Sequence, residues 1–339
     1  METLKPFLEK IAQGEDLSRR ESSQALERII RGTVTPGEIG ALLMGLRMKG
    51  ESVEEILGFV DTMEANMVRV DLTMEDAIDV CGTGGDKKHS FNVSTASAFV
   101  VSAGGVPVAK HGNRSVSSRC GSADVLETLG ININLGPGEV LTCIRETGIG
   151  FLFAPRYHPA MKAVLPHRKN LGLRTIFNML GPLTNPAGVR RQLVGTYNRE
   201  TAKKLAEVML MKGHTKACTV HSDDGYDEVS PFASNYIYEI DNGHIREYMY
   251  QQKTPPVNNM DAIYGTDSRY NAQKITTLLS GEKNSARDMI VLNAAFAFYV
   301  AGKVTTIPEG MGLAEAIIDS GAALAKLNAL RKISQSYTV

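Results

Sequence analysis

The sequence predicts an α/β protein in which a small α-helical domain precedes a larger α/β domain with a mostly parallel central sheet. Three observations predict it. Residues 1–70 carry three consecutive helix-start signals. From Ala77 onward short apolar runs alternate with segments of helical period. Two turns rich in glycine, serine and cations follow the first two of those runs, at the strand ends where open α/β sheets bind ligands.

In the helical part, Ser18 with Glu21, Thr35 with Glu38 and Ser52 with Glu55 read as capping boxes, and Pro36 takes the favoured first helical position. Gly14, Gly32 and Gly50 end the preceding runs. Ile39, Leu42, Leu43 and Leu46 give one of the four expected helices a buried face. AIDVCGTGGD, beginning at Ala77, reads as a buried strand ending in a glycine turn. Beyond it helices are expected over 94–103, 122–129 and 138–147, with strands near 106–109, 131–134 and 150–154. Residues 155–190 break the alternation with a basic helical stretch and a Gly-Pro, Asn-Pro loop, an excursion that returns to the sheet at a strand over 192–195. A helix at 199–212 and a strand at 217–221 follow, then polar extended structure over 231–270, helices at 271–280 and 286–301, and a final helix near 312–334.

Composition bounds the function. The 37 basic residues balance the 37 acidic ones, so no global field points to nucleic acid or to an acidic membrane surface. The four cysteines form no CxxC pair and no metal-ligand cluster, which reads as reduced cytosolic thiols. METLKPFLEK is charged through its first turns and lacks the apolar core of an export signal, and no apolar run approaches the ~20 residues of a membrane helix. A cytoplasmic protein without membrane or nucleic-acid partners is expected.

The chemistry concentrates in five places. In Gly82–Asp86, GTGGD, glycines let the backbone approach an anion and adopt positive φ; the pattern is neither GxGxxG nor GxxxxGK[ST], and alone it fits a structural turn equally well. Asn92, Ser94 and Thr95 open the next helix; capping needs one of them, and three suit a phosphate or hydrated cation. Lys110, His111, Gly112, Asn113, Arg114, Ser115, Ser117, Ser118 and Arg119 follow the second strand and converge on the same crevice. Asp223, Asp224, Asp227 and Glu228 end a buried strand, where adjacent carboxylates can hold Mg²⁺ with water. His158, Arg168, Arg174 and Asn178 lie in the excursion; an arginine there could grip a carboxylate, and spacing does not select which.

Together these segments resemble the anthranilate phosphoribosyltransferase family over essentially the whole chain. The matching motifs are GTGGD at 82–86, FNVSTASAFV at 91–100, KHGNR at 110–114, GSADVLE at 121–127, YHPAMK at 157–162, LGLRTIFNMLGPLTNPA at 171–187 and DGYDE at 224–228. The resemblance implies a discontinuous helical domain, residues 1–67 and about 165–188, that forms a homodimer, and an α/β domain, residues 68–164 and about 189–339. It implies transfer of the 5-phosphoribosyl group of phosphoribosyl pyrophosphate (PRPP) to the amine of anthranilate, a step of tryptophan biosynthesis, with one or two Mg²⁺ per subunit. It places PRPP on Gly82, Gly85, Asp86, Ser90, Asn92, Val93, Ser94, Thr95, on Lys110, His111, Gly112, Asn113, Arg114, Ser115, Val116, Ser117 and Ser118, and on Ser122. It places Mg²⁺ on Ser94, Asp227 and Glu228, and anthranilate on Gly82, Asn113 and Arg168, with His111, Tyr157 and His158 as further members of its pocket. No obligate acid or base is assigned. Lys87, Lys88 and Cys120 depart from the family pattern.

Two other readings share parts of this pattern. One is a pyrimidine nucleoside phosphorylase, against which stand KHGNR, the Asp227–Glu228 pair and RTIFNMLGPLTNP. The other is a non-catalytic relative that binds nucleic acid, against which stand the zero net charge and the retained metal and acceptor positions.

Overall fold

A computed structural model describes residues 2–115, 119–253 and 260–337. Four helices come first: α1 (Lys5–Ala12), α2 (Arg19–Ile30), α3 (Pro36–Lys49) and α4 (Val53–Ala65). All three predicted capping boxes are present with both reciprocal bonds, which is why the helices start where the serines and threonine say they should. The capping glutamates also reach outward. Glu38 caps α3 through Oε2 and accepts the Leu4 amide through Oε1 at 2.9 Å, while Glu55 caps α4 and accepts the Leu17 amide at 2.9 Å.

The chain then runs β1 (Ile78–Gly82), α5 (Val93–Ala103), β2 (Val108–Gly112), α6 (Ser122–Thr128), α7 (Pro137–Thr147) and β3 (Ile149–Phe153). The excursion forms α8 (Ala154–Tyr157), α9 (Met161–Leu171) and α10 (Phe177–Leu183). It is followed by β4 (Arg191–Gly195), α11 (Arg199–Met211), β5 (Lys216–Ser222), β6 (Asn235–Asp241) and β7 (His244–Tyr250). The chain ends in α12 (Met260–Ile263), α13 (Ser268–Leu279), α14 (Ser285–Ala301), α15 (Ile307–Asp319) and α16 (Ala322–Gln335).

The seven strands lie in the order β3-β2-β1-β4-β5-β6-β7. The first five are parallel; β6 and β7 add an antiparallel hairpin at one edge. Strand order reverses direction between β1 and β4, and their carboxyl ends meet at Gly82 opposite Gly195. That switch point is where such sheets leave a crevice for a ligand.

One buried cluster joins the sheet to α5, α6, α7, α14 and α16. A second holds α1–α4 together with Val164, Ile176, Phe177, Leu180 and Leu183 of the excursion, Phe177 packing edge-on against Phe59. This second core continues onto α11 and onto Cys81, Val194, Ala217 and Ile240 of the sheet, so the helical part is seated on the sheet and not merely tethered to it. The chain passes between the two cores at 63–70 and 183–187, and there Val70 N–H donates to Pro186 O at 3.0 Å. A cavity of about 340 Å³ lies at these crossings, with Glu64, Arg69, Pro186 and Arg190 in its lining. All four cysteines are buried free thiols.

Four expectations need correction. Residues 131–134 form no strand: the Asn132 amide goes to Ser334 Oγ at 3.1 Å and the Asn134 amide to Asn132 Oδ1 at 3.0 Å, leaving no ladder to join. The second strand begins at Val108, after Pro107, which has no N–H to give. Gly181–Pro182 is not a loop but the last turn of α10. The final helix is two, α15 and α16, separated at Gly321, whose φ of 75° only glycine adopts freely.

Candidate active site

Four segments meet at the switch point. After β1, Gly84 and Gly85 both take positive φ, which turns the chain back over the end of the strand. The Gly84 amide donates to Asp227 Oδ2 at 2.7 Å, and Thr83 N–H donates to Gly195 O at 2.9 Å. Asp86 faces the same place: its Oδ2 accepts the Asp227 amide at 3.5 Å. At the start of α5, Ser94 N–H donates to Glu228 Oε1 at 3.1 Å, so a carboxylate already occupies one amide of a helix N-terminus. At the end of β2, Lys110 is buried, with its ammonium donating to Val80 O at 2.6 Å and Ser94 Oγ at 3.3 Å. Glycine turn, helix start, lysine and acidic turn are thus one hydrogen-bonded unit.

The electrostatics of this unit are those of an incomplete charge set. Burial, then Asp86 and Glu228, raises the Asp227 carboxyl well above its usual range. Burial pushes Glu228 up to about 8 against the pull of Lys110, and burial lowers Lys110 against the pull of Asp79. Ionising these carboxyls together beside one lysine is costly, and a divalent cation would offset that cost. Among the described residues no group of three His, Cys, Asp or Glu closes around an ion unaided. Ser94, Asp227 and Glu228 therefore suit Mg²⁺, which keeps waters and shares its shell with phosphate oxygens, better than an ion that needs a full protein cage.

The other sequence-derived candidates divide. Gly82 and Gly85 line the turn, a Cβ on Gly82 meeting Asp227 Oδ2 at 2.7 Å and one on Gly85 meeting Arg174 at 3.3 Å. Ser90 bridges to Tyr264. Asn92 stands at the N-cap without capping: it donates to Cys120 O at 3.2 Å and accepts from Asn271 at 3.0 Å, linking the two loops. Val93 is a core residue, whereas the Thr95 hydroxyl is buried without a partner among the described residues. Gly112 packs on Ser122, and Asn113 O accepts from Ser122 Oγ at 3.3 Å. The Arg114 guanidinium turns to Asp124 and Glu127 at 2.8–3.0 Å and so offers its charge to α6 rather than to the crevice. Ser115 N–H donates to Asp124 at 3.1 Å. Val116, Ser117 and Ser118 lie outside the described residues.

On the excursion side, Arg168 is half-buried over the Phe177 ring, 5.5 Å from its centroid. His111 stacks obliquely on His158, 5.1 Å between centroids, and its Nδ1 meets Gly181 O at 3.0 Å. Among the described residues His111 Nε2 and both ring nitrogens of His158 have no hydrogen-bond partner. Burial holds His111 at about 3 and His158 at about 4, so both are neutral at neutral pH. Tyr157 is fully buried, with its hydroxyl donated to Leu135 O at 3.1 Å.

Comparison with known proteins decides the family. Residues 74–324 match the model of the glycosyl transferase family a/b domain, and residues 5–67 match that family's helical bundle domain. The anthranilate phosphoribosyltransferase of Azorhizobium caulinodans is 44% identical over 338 residues, covering 99% of this chain and 98% of its own. That of a Thermoanaerobacter species is 47% identical over 326 residues, 96% of each. The chain belongs to the anthranilate phosphoribosyltransferase family. The crystal structure of the family member from Thermus thermophilus superposes with a TM-score of 0.90 at 36% identity, over 97% of this chain and 99% of that one. The Saccharomyces cerevisiae enzyme, solved in complex with PRPP and Mg, gives 0.89 at 26% identity over 98% of both. The chain is therefore an enzyme that transfers the phosphoribosyl group of PRPP to anthranilate in tryptophan biosynthesis, and the phosphorylase and non-catalytic readings fall away.

Within this family member, three residues to which the sequence reading gave no settled role matter to the site's shape. Asp79 sits inside β1, and a charge in an apolar five-residue run was the available signal. Arg174, noted without a role, donates to Gly85 O at 3.3 Å and lies 4.1 Å above the Tyr197 ring. Gly195 ends β4 as Gly82 ends β1, and a Cβ there would lie 1.6 Å from Asp227 O, a backbone atom that cannot yield. Gly195→Ala is accordingly expected to destabilise by about 1–3 kcal/mol and to push the acidic turn off the crevice. Thermal unfolding and Mg²⁺-dependent turnover check this, and a variant with both at wild-type level would show the turn to be free to move.

Lys87 and Lys88 also acquire a structural account. Lys87 and His89 take positive φ, 62° and 56°, unusual for side chains other than glycine. Lys88 lies 5.9 Å over the Tyr226 ring and against Gly225, tying the glycine turn to the acidic turn.

Proposed function

We propose that the crevice at the β1–β4 switch point binds PRPP and that the excursion presents anthranilate to it. The observation that carries this is the meeting of Gly84, Ser94, Lys110, Asp227 and Glu228 in one hydrogen-bonded unit at the carboxyl ends of the strands. The glycine turn and the first amides of α5 supply donors for phosphate oxygens, and Lys110 supplies positive charge. Ser94, Asp227 and Glu228 would hold one or two Mg²⁺ ions per subunit, which would supply Lewis-acid stabilisation to the pyrophosphate leaving group.

As the bond to pyrophosphate breaks, negative charge grows on the leaving group, so donors aimed at it act on the transition state more than on the bound substrate. The acceptor is an aromatic amine with a lone pair at neutral pH, and positioning it matters more than removing its proton. Arg168 grips its carboxylate. His111, with Nδ1 donating to Gly181 O, keeps Nε2 as an acceptor able to orient an amine hydrogen. Closure of the helical part, residues 1–67 and about 165–188, over the α/β part, 68–164 and about 189–339, excludes water from the sugar cation. The enzyme works in this reading as a cytoplasmic homodimer; exposed Met48 in α3, Leu165 in α9 and nearby Leu173 give the helical part apolar surface for a second copy.

Incubating the purified protein with anthranilate, PRPP and Mg²⁺ and following anthranilate fluorescence tests the reading. Loss of fluorescence that requires both PRPP and Mg²⁺ is expected. Absence of consumption, with phosphorolysis of thymidine or uridine instead, would overturn it.

A further inference from the structure

Asp79 is the second residue of β1 and is fully buried, yet neither of its oxygens is available to a substrate. Oδ1 accepts the His111 amide at 3.2 Å. Oδ2 accepts Asn185 Nδ2 at 2.9 Å and Gln192 Nε2 at 3.4 Å. Each donor comes from a different element: His111 from the end of β2, Asn185 from the crossing after α10, Gln192 from β4.

The same elements are bonded around Asp79. Asn185 also donates to Ala109 O in β2 at 2.9 Å, and Gln192 donates to Pro182 O in α10 at 2.8 Å. His111 Nδ1 meets Gly181 O, also in α10, at 3.0 Å. Behind them Gln192 Oε1 lies 2.7 Å from His214 Nε2. Helix α10 begins at Phe177, the ring beneath Arg168. Strand β2 ends in Lys110 and His111. One buried carboxylate therefore joins the element beneath Arg168 to the strand that carries Lys110.

The chemistry requires an acceptor with no hydrogens of its own. Three N–H donors converge on residue 79, and only an ionised carboxylate can accept from all of them. Asparagine fits the space but sets an NH₂ against one of the donors, leaving buried polar groups unmatched. We infer that Asp79 is a positioning residue of the transfer reaction: by binding Asn185, Gln192 and the His111 amide at once, it holds the acceptor wall on α10 in register with the phosphate wall on β2. This rests on the proposed function, because register matters only if the two walls hold two reactants.

Asp79 bonds to protein groups of both walls, so its loss breaks their alignment; its pull on the Lys110 charge is lost as well, and Asn185→Ala, which keeps that charge, separates the two effects. Displacement of about 1 Å between bound reactants can lower turnover ~100-fold. Asp79→Asn, Asn185→Ala and the double variant are compared by steady-state kinetics with each substrate varied. Asp79→Asn is expected to lower kcat by about 10- to 100-fold, and Asn185→Ala by about 5-fold, with both KM values within about 3-fold of wild type. The double variant is expected to be no slower than Asp79→Asn, because both substitutions cut one connection. Unchanged kcat per folded molecule, a loss expressed in the KM for PRPP or for anthranilate, or losses that multiply in the double variant would each overturn the assignment. If Asp79→Asn does not fold, the kcat-against-KM split in Asn185→Ala decides the matter alone. Wild-type turnover of anthranilate is measured first, so a failure of the functional reading appears before any variant is made.

Discussion

Arg168→Ala is expected to raise the KM for anthranilate and to lower kcat/KM by about 30- to 900-fold, corresponding to about 2–4 kcal/mol of lost transition-state stabilisation. The size follows from the surroundings of the side chain. Arg168 is half-buried, burial weighs against its charge, and its guanidinium rests on the Phe177 ring with no hydrogen bond or ion pair among the described residues. A guanidinium held on an aromatic face keeps its in-plane N–H groups free for a planar partner, and a carboxylate satisfies two of them at once. The desolvation of that pair makes it stronger than a surface ion pair, and its removal costs correspondingly more. Because Arg168 is remote in sequence from the phosphate loops, the KM for PRPP should move little. Steady-state kinetics with each substrate varied provide the check, and unchanged constants for anthranilate would remove Arg168 from the site.

The double substitution Asp227→Asn with Glu228→Gln is expected to lower Mg²⁺-dependent turnover by ~100-fold or more, since the donor set for the ion and the neutraliser of the leaving group are lost together. The same variant should report on the acids without any substrate. Burial holds Glu228 protonated in the metal-free fold up to about 8, against an ordinary value of 4.5. Between those values the folded chain keeps a proton that the unfolded chain has released, so wild-type stability falls as pH rises through that window. One group contributes at most about 1.4 kcal/mol per pH unit; Asp227, raised from the same cause, acts in the same direction. The amide variant lacks both titrations, so its stability relative to wild type should increase from about pH 5 to pH 8. Saturating Mg²⁺ should reverse the trend by binding the ionised wild-type acids. Full turnover at limiting Mg²⁺, with no pH-dependent difference in urea midpoint, would reduce the pair to a surface feature.

Features that depend on near neighbours in the chain were readable from the residues alone. Ser18, Thr35 and Ser52 specify helix starts through partners three positions on, and the glycines of GTGGD specify a turn through φ. The acids at 227 and 228 could be singled out because they follow a buried strand. What depended on distant neighbours could not be read. The alternation in 131–134 has the period of a strand, but Ser334, some 200 residues away, takes the backbone donor that a ladder would need. Arg114 has the chemistry of a phosphate ligand and is diverted by Asp124 and Glu127 on the next helix. Tyr157 stands in a motif with His158, yet the two side chains part, one into the core and one beside His111. Asp79 is the clearest case, because its meaning lies in three donors from three elements.

The capping glutamates of the helical part have a consequence for how it assembles. Glu38 completes the start of α3 with one oxygen and holds the backbone just before α1 with the other; Glu55 does the same for α4 and the backbone before α2. Each later helix is thus begun by a residue that is fully engaged only when an earlier segment has docked. Local initiation and long-range docking are thereby merged into one event, and the four helices form a cooperative folding unit. A chain shortened past Ala12 would be impaired at the start of α3 as well as missing α1, so the amino-terminal helix cannot be trimmed as an independent appendage.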